Sequence, residues 1–170
     1  MYDPYMKCPI FETKDLILRL VEKTDAEDLL ECYSDKVAQK FFNDDNCLNN
    51  FKYKTLEEMN KAVDFWISAY NRGDFIRFSI VDKQSKKAVG TLEMFGGPQG
   101  VLRIDIKSEY EKREYLNQIV EVSINSFYSL FITNRIITKA IPKATERIAA
   151  LKNYGFNKDK RRNYYYRDNK

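Results

Sequence analysis

The chain has 170 residues, 44% of them hydrophobic and 14% aromatic, so it can bury one substantial core and is expected to form a single domain over residues 1–170. It contains no histidine, which excludes a Ser-His-Asp triad, a Cys-His dyad and a zinc-binding helix with two histidines. Any general base must therefore be a carboxylate, Tyr, Lys, Cys, or a water molecule that one of them holds.

The positive charge is concentrated at the C-terminus. The formal net charge is +4, and residues 157–170 alone hold six basic and two acidic side chains, so the rest of the chain is neutral. Arg161, Arg162 and Tyr164 to Tyr166 combine positive charge with stacking surfaces, as do segments that contact RNA or the ribosome. The same segment can also be an ordinary solvated edge.

Cys8, Cys32 and Cys47 are odd in number and lack C-x-x-C spacing. They predict neither a disulfide framework nor a zinc site, and we expect them to act as packing residues. The N-terminus lacks the apolar core of a signal peptide, and no apolar run reaches membrane-spanning length. A cytoplasmic protein without a metal is therefore expected.

In chain order, the first periodic segment is an opening strand at Leu16–Leu20. Residues 24–27, Thr-Asp-Ala-Glu, have the spacing of a capping box and predict a helix that reaches about Ser34. A second short helix is predicted over residues 36–42. The segment 44–54 is rich in Asn and Asp and is predicted to be a loop.

A second capping box at residues 55–58 predicts a longer helix that ends at Gly73. Its apolar residues at helical spacing are Met59, Ala62, Val63, Trp66 and Tyr70. A hairpin follows, with strands at residues 75–81 and 88–95 around a polar turn. The glycines between residues 96 and 100 then turn the chain into another strand.

The segment 101–156 predicts a strand, a loop, a helix, a second strand and a second helix. Residues 101–106 alternate as a strand, a polar loop covers 108–116, and residues 115–130 carry a core-facing apolar stripe. A strand that delivers its loop onto a helix N-terminus commonly builds an anion site from backbone N–H groups. This loop holds no glycine, and Glu114 lies where the helix begins, so the segment predicts a phosphate site and also opposes it.

The remaining elements complete a mixed pattern. Residues 135–140 predict a buried strand, and residues 143–154 predict a helix that Gly155 ends in the left-handed conformation. Tyr164 to Tyr166 predict a last strand. The order β-α-α-α-β-β-β-α-β-α-β indicates a mixed sheet with helices on both faces.

These residues resemble the GNAT-type N-acetyltransferases, and most closely the branch that acetylates ribosomal-protein N-termini. Residues 13–19 (Thr-Lys-Asp-Leu-Ile-Leu-Arg) with Asp25 look like that branch's opening strand and first helix. Residues 78–82 and 89–93 look like its central hairpin, and residues 150–156 (Ala-Leu-Lys-Asn-Tyr-Gly-Phe) look like its last helix. The resemblance covers nearly the whole chain and implies a GNAT-like α/β fold, with a mixed, mostly antiparallel sheet and helices on both faces.

The resemblance implies an acetyl-CoA-dependent N-acetyltransferase that acts on a primary amine, either a protein N-terminus or a small amine. Acetyl-CoA would be the co-substrate, held where the strands at 101–106 and 135–140 splay apart, with a backbone N–H of the first strand polarising its carbonyl. The implied CoA-binding residues are Ile104, Asp105, Ile106, Lys112, Arg113, Glu114, Tyr115, Leu116 and Asn117. Nothing in segment 44–54 identifies the acceptor.

The chain departs from the family pattern at the ligand positions. In the family's acyl-CoA loop, a basic or Gln residue aligns with Glu111, a Gly aligns with Glu114, and a Gly or Ala aligns with Leu116. An Asn and a Ser common in this branch align with Ala144 and Arg147, and a general-acid tyrosine of other branches aligns with Leu151. A carboxylate about 4 Å from a phosphate costs about 1 kcal/mol in water and about 4 kcal/mol near a protein surface, so weakened CoA binding is expected.

Glu93 is the preferred candidate for the general base, because it lies on the hairpin strand beside the acyl-binding strand and could act through water. The alternative is an outward-facing strand charge. Asp105 is a second carboxylate, which alternation places on the opposite face from Ile104 and Ile106. Tyr154 could protonate the leaving thiolate, although a core tyrosine at a helix end fits the pattern better.

Two further interpretations stay open beside the enzyme. One is a catalytically degenerate family member that binds CoA or another ligand weakly, and the other is a basic module that contacts RNA or the ribosome. A CoA-induced rise in melting temperature would favour the enzyme or the degenerate member, and product formation would separate those two. Salt-dependent RNA binding would favour the basic module.

Overall fold

A computed structural model describes residues 2–43, 45 and 51–170. Its strands are β1 (Phe11–Glu12), β2 (Leu16–Leu20), β3 (Ile76–Asp82), β4 (Ala88–Phe95), β5 (Gly100–Ile106), β6 (Arg135–Lys139), β7 (Asn157–Lys158) and β8 (Tyr164–Asp168). Its helices are α1 (Ala26–Tyr33), α2 (Leu56–Arg72), α3 (Arg113–Leu130) and α4 (Thr145–Asn153). Every predicted strand and the predicted longer helices have counterparts, with small differences in their bounds.

The described strands form one sheet in the order β1-β2-β3-β4-β5-β6-β8-β7. Neighbours are antiparallel except β5 and β6, which are parallel. Parallel neighbours need a long crossover connection, and α3 lies in that connection. The predicted α/β fold, with its mixed and mostly antiparallel sheet, is confirmed.

Alternation along the strands gives the sheet two unlike faces. Helices α3 and α4 pack on an apolar face, where Leu92, Ile104 and Phe127 belong to one buried cluster. Helices α1 and α2 pack on the other face, and Tyr33 and Trp66 belong to the apolar cluster there. The α1–α2 face also carries buried charged side chains, which adjoin the candidate site.

The ends of α2 follow the local sequence. Thr55 Oγ1 accepts the Glu58 N–H at 3.2 Å, and the Glu58 carboxylate accepts the Thr55 N–H at 3.1 Å. This reciprocal pair confirms the predicted capping box, because it satisfies two N–H groups that the helix leaves without partners. Gly73 ends α2 with a φ of 76°, which glycine adopts without strain.

The start of α1 differs from the prediction. The expected cap at Thr24 is wrong, because the chain enters α1 through a 3-10 turn at Lys23–Asp25. The Asp25 carboxylate accepts the Glu22 N–H at 2.8 Å, so the capping pair lies two residues earlier than predicted.

Other differences are confined to short elements. The predicted short helix over 36–42 is a 3-10 turn at Ala38–Phe41. Of the predicted loop 44–54, residues 44 and 46–50 lie outside the described residues. The two-residue strands β1 and β7 were not predicted, since so short a segment carries no periodicity. Among the described helices, none is long and apolar enough to cross a membrane.

The pairing of β5 with β6 covers only part of β5. The paired positions are Gly100 with Ile136, Val101 with Ile137, and Leu102 with Thr138. Pairing stops there, although β5 continues to Ile106. The predicted splay between these two strands is therefore confirmed.

Candidate active site

Among the described residues, no strand pairs beyond Leu102 with the edge of β5 that faces β6. The Lys107 N–H donates to Val89 O at 2.9 Å, so the backbone N–H of Lys107 points toward β4. Because backbone direction alternates along a strand, the N–H and C=O groups of Ile104 and Ile106 point away from β4, into the gap beside β6. This open edge is the backbone surface that the family resemblance implied for an acyl group.

Helix α3 begins at Arg113, after the loop that leaves the open end of β5. The Arg113 N–H donates to Glu146 Oε2 at 3.1 Å, and Arg113 Nη2 donates to Glu146 Oε1 at 3.3 Å. Glu146 lies in the first turn of α4. A carboxylate is favoured at the positive end of a helix, so the protein's own side chain takes the predicted anion position.

Glu111 and Arg147, two of the departures from the family pattern, bind each other. Arg147 Nε donates to Glu111 Oε1 and Arg147 Nη2 donates to Glu111 Oε2, both at 2.8 Å. The Arg147 side chain is only 3% exposed and the Glu111 side chain only 6% exposed. This is the two-point geometry in which arginine binds a carboxylate most strongly.

Arg147 also connects the two sides of the sheet. Its Nη1 donates to Phe41 O at 3.3 Å. Phe41 belongs to the turn whose residues Ala38 and Phe42 pack with α1 and α2, whereas α4 packs on the apolar face with α3. The Arg147 side chain therefore spans the region where β5 and β6 have parted.

The other predicted CoA-binding residues differ in accessibility. Lys112 and Glu114 are exposed, and Leu116 is fully buried in the core beneath α3. Tyr115 is half-buried. The buried Asn117 Oδ1 accepts no hydrogen bond from the described residues. Because Glu114 extends into solvent, it opposes a phosphate less than its position in the sequence suggested.

Glu93 lies on the charged face of the sheet between two guanidinium groups. It faces Arg77 across the β3–β4 pair and Arg103 across the β4–β5 pair. Arg77 Nη2 donates to Glu93 Oε2, and Arg103 Nη1 donates to Glu93 Oε1 at 3.3 Å. Glu93 is 4% exposed, so it is not an outward-facing strand charge. Any amine or water that it binds must share its oxygens with two cations.

Asp105 lies on the same charged face, which confirms that it points away from Ile104 and Ile106. Tyr33 OH donates to Asp105 Oδ2 at 2.9 Å. Burial raises the pKa of Tyr33 well above its usual value, and the Asp105 charge raises it further. Tyr33 therefore remains a protonated donor, and Asp105 is enclosed behind it.

Arg77 joins these carboxylates, and its role was not anticipated from the sequence. It is 1% exposed, and its guanidinium lies 4.2 Å from the centre of the Trp66 ring and within 3.4 Å of Asp105 Oδ2. Burial lowers its pKa, but the charge of Glu93 and then the neighbouring Tyr33 and Asp105 raise it, and the net direction is upward. Opposite charges at facing positions of the predicted hairpin were the available signal.

A cavity of about 740 Å³ lies on the charged face over the paired positions Val101 and Ile137, and it extends to Arg103, just beyond the last β5–β6 pair. Its wall includes Phe95, Val101, Arg103, Ile137, Tyr164 and Asp45. Asp45 accepts hydrogen bonds from Tyr164 OH and Lys139 Nζ, each at 2.7 Å. The cavity is therefore lined by both apolar and charged side chains, and one of the charged residues, Arg103, binds Glu93 directly.

The remaining sequence candidates contribute no reactive group here. Burial raises the pKa of the Cys8 thiol to about 12 and that of Cys32 well above its usual value, so both stay protonated near neutral pH. Both pack against the apolar clusters, as predicted, and Cys47 lies outside the described residues. Burial and then the charge of Glu121 raise the pKa of Tyr154. The described residues contain no cluster arranged to hold a metal ion.

The basic side chains of the C-terminal segment are mostly exposed, but some of its charged and aromatic groups are bound within the protein. Arg161 donates to both oxygens of Asp159, at 2.9 and 3.0 Å. Tyr164 OH is bound to Asp45, and Tyr165 is only 6% exposed. The aromatic residues proposed for RNA stacking are therefore partly used inside the protein.

Comparisons with known proteins agree with this geometry. The model of the family described as "Acetyltransferase (GNAT) domain" matches residues 15–157. RimJ from Mycobacterium smegmatis, in complex with CoA-disulfide, has a TM-score of 0.78 at 12% identity and covers 98% of this chain and 90% of its own. No curated protein sequence matches the chain.

Two other solved structures are similar over nearly their whole length. An acetyltransferase from Salmonella typhimurium that modifies the N-terminal serine of a 50S ribosomal subunit protein has a TM-score of 0.70 at 14% identity, covering 94% of this chain and 99% of its own. Spermidine N-acetyltransferase from Vibrio cholerae, in complex with CoA and spermine, has a TM-score of 0.70 at 12% identity, covering 92% of this chain and 97% of its own.

At such identities the likeness to solved structures shows the fold, and fold alone does not fix function. The family model, by contrast, spans most of the sequence. The chain therefore belongs to the GNAT family of acetyltransferases, and acyl transfer is its class of reaction.

Proposed function

We propose that this chain is an acetyl-CoA-dependent N-acetyltransferase that acetylates a primary amine, acting in the cytoplasm as a single domain over residues 1–170. The open edge of β5 carries the proposal, because it presents backbone groups of Ile104 and Ile106 to an extended ligand lying between two strands. Two relatives of the same fold were solved with CoA or its disulfide.

The reaction needs few protein groups. The amine nitrogen forms a bond to the thioester carbonyl carbon, the carbon–sulfur bond breaks, a base takes the amine proton and the thiolate receives a proton. The N–H of Ile104 or Ile106 would donate to the carbonyl oxygen as negative charge develops there. Since the β4–β5 ladder already fixes these groups, they need not reorganise during the reaction.

Glu93 is the proposed general base, acting through a water molecule. It is bound to Arg103, which forms part of the cavity wall, so a water in the cavity is one side chain away from its carboxylate. Asp105 is less suited, because it is fully buried and bound to Tyr33 of α1. The guanidinium groups around Glu93 would hold it in place for proton transfer.

The acceptor amine is placed in the cavity on the charged face. An acyl donor bound at the start of α3 would enter the gap between β5 and β6 from the apolar face of the sheet. The cavity lies on the charged face, so an amine bound there would approach the donor from the other side of the sheet. Arg103 and Arg161 line this cavity, and Asp45 is already engaged by Lys139. Cationic walls disfavour a polyamine, so we propose a single amine such as a protein N-terminus.

The test is acetyl transfer to a panel of N-terminal peptides and to spermidine, followed by mass spectrometry of the products. We expect acetylated peptides, formed at least about tenfold faster than acetylspermidine. Faster acetylation of spermidine would contradict the acceptor assignment alone. A CoA-dependent rise in melting temperature without any product would favour the degenerate family member, and no CoA binding at millimolar concentration would exclude the transferase.

A further inference from the structure

We propose that two ion pairs, Glu111–Arg147 and Glu146–Arg113, form a latch that keeps the acyl-CoA cleft closed in the free protein. Glu111 lies between β5 and α3, and Arg113 is the first residue of α3, so each pair joins this part of the chain to the first turn of α4. CoA then binds only after its phosphates displace these carboxylates. The inference rests on the proposed function, since it concerns access to the same cleft.

The buried pair closes the passage between the strands. Arg147 reaches from α4 to Glu111 and to the carbonyl of Phe41 on the other side of the sheet. An extended ligand that followed the open edge of β5 would meet this side chain. Because both members are almost completely buried, either one left alone would be a costly uncompensated charge, so the pair holds the closed arrangement firmly.

The exposed pair occupies the position that suits an anionic ligand. Glu146 binds both the first N–H of α3 and the guanidinium of Arg113, and these are the donors that a phosphate would use. Its side chain is 43% exposed and that of Arg113 is 56% exposed, so this pair exchanges with solvent easily. We expect it to open before the buried pair.

The two pairs are mechanically coupled. Glu146 and Arg147 are consecutive residues, so once the exposed pair has opened, an outward shift of the first turn of α4 also breaks the buried pair. That shift releases two arginines beside the incoming phosphates, which accept two-point hydrogen bonds from guanidinium groups. The side chains that close the cleft thus become ligands when it opens.

The experiment is calorimetric titration of CoA into four proteins: wild type, Glu111→Gln, Glu146→Gln and the control Glu57→Gln. Glu57 is an exposed glutamate at the start of α2 that binds Lys61 at 2.7 Å, so its substitution changes net charge equally, away from the cleft. We expect Glu111→Gln to tighten CoA binding about tenfold and Glu146→Gln to tighten it about threefold. Glu57→Gln should leave the affinity within about twofold of wild type.

Stability provides a second readout. Glu111→Gln should lower the melting temperature while tightening CoA, because it leaves Arg147 buried without a full counter-charge. Should this variant not fold, Glu146→Gln at its exposed position still tests the latch. If both variants bind CoA no more tightly than Glu57→Gln, the latch is wrong while the transferase stands. If no protein binds CoA or transfers acetyl, the proposed function itself fails.

Discussion

On the α3 side of the sheet, Leu92, Met94 and Ile104 are buried among other apolar side chains, whereas on the α1–α2 side Arg77 and Glu93 are buried almost as completely. Burial of apolar area stabilises a fold roughly in proportion to that area. Burial of an ion pair returns little more than the hydration that it removes. Breaking the ion pairs of the charged face is therefore costly, although the intact pairs contribute little net free energy of folding. This charged face is also the one that borders the cavity.

The largest expected effect is that of Arg77→Met. Glu93 and Asp105 would lose the cation between them, which we expect to destabilise the fold by about 3–5 kcal/mol in urea unfolding. The control is Arg72→Met, since Arg72 is exposed and binds Asp74 at 2.8 Å, and its loss should cost less than about 1 kcal/mol. Equal costs for the two variants would break the distinction between the faces.

On the apolar face, Leu92→Ala should cost about 3 kcal/mol, from lost burial and the cavity left behind. Leu56, 44% exposed on α2, is the matched control, and Leu56→Ala should change the unfolding free energy by less than about 0.5 kcal/mol. A cost for Leu92→Ala above that of Arg77→Met would mean that the apolar face is the less tolerant of the two.

Glu93→Gln should lower both stability and turnover. The sequence alone predicted little change in stability, but removal of the negative charge between Arg77 and Arg103 is expected to cost about 1–3 kcal/mol. If Glu93 is also the base, the pH–rate profile should lose its rise on the acidic side. A reduced rate with an unchanged profile would leave Glu93 as a positioning residue.

The smallest effect is the pH dependence contributed by Asp25. Burial raises the pKa of Asp25, but hydrogen bonds from Arg19, Ser79 and the Glu22 N–H lower it by more, so its pKa is below that of an exposed aspartate. A lowered folded-state pKa gives stability that is complete above the unfolded value, about 3.9, and is lost as pH falls through the folded value.

Urea unfolding of wild type and Asp25→Asn between about pH 2 and pH 7 checks this. The stability advantage of wild type should be greatest near neutral pH and should shrink as the solution becomes acidic. A difference that stayed constant over this range would show that the Asp25 carboxylate does not titrate with folding.

Local signals accounted for much of the fold. The capping pair of Thr55 and Glu58, the glycine at residue 73 and the alternation along β4 and β5 involve neighbours in sequence or facing strands, so the residues themselves reveal them. The prediction of a cap at Thr24 was wrong, because the neighbouring Asp25 carboxylate binds Arg19 and Ser79 of the sheet. From that position Asp25 accepts the Glu22 N–H, and the capping pair is therefore Glu22 and Asp25.

The arrangement around the cleft needed tertiary structure. Glu111 and Arg147 were each recognised as unusual, but they are 36 positions apart, and only the docking of α4 beside α3 makes them partners. Glu146 gave no sequence signal at all, since an acidic residue in the first turn of a helix is ordinary. The opposite charges of Glu111 and Arg147 could be seen in the sequence, but their proximity in the folded protein could not.

The short β5–β6 pairing also bears on the order of folding. Strands β2 to β5 lie side by side in chain order, and short turns join β3 to β4 and β4 to β5. Strand β6, by contrast, reaches β5 only after α3 has crossed over, and these two strands share three paired positions. Non-local pairings that yield few hydrogen bonds form late and open first. We therefore expect the β6–β8 pair to dock last and its seam with β5 to exchange amide protons faster than the β3–β4 hairpin, so the sheet is weakest along the line where a ligand would enter.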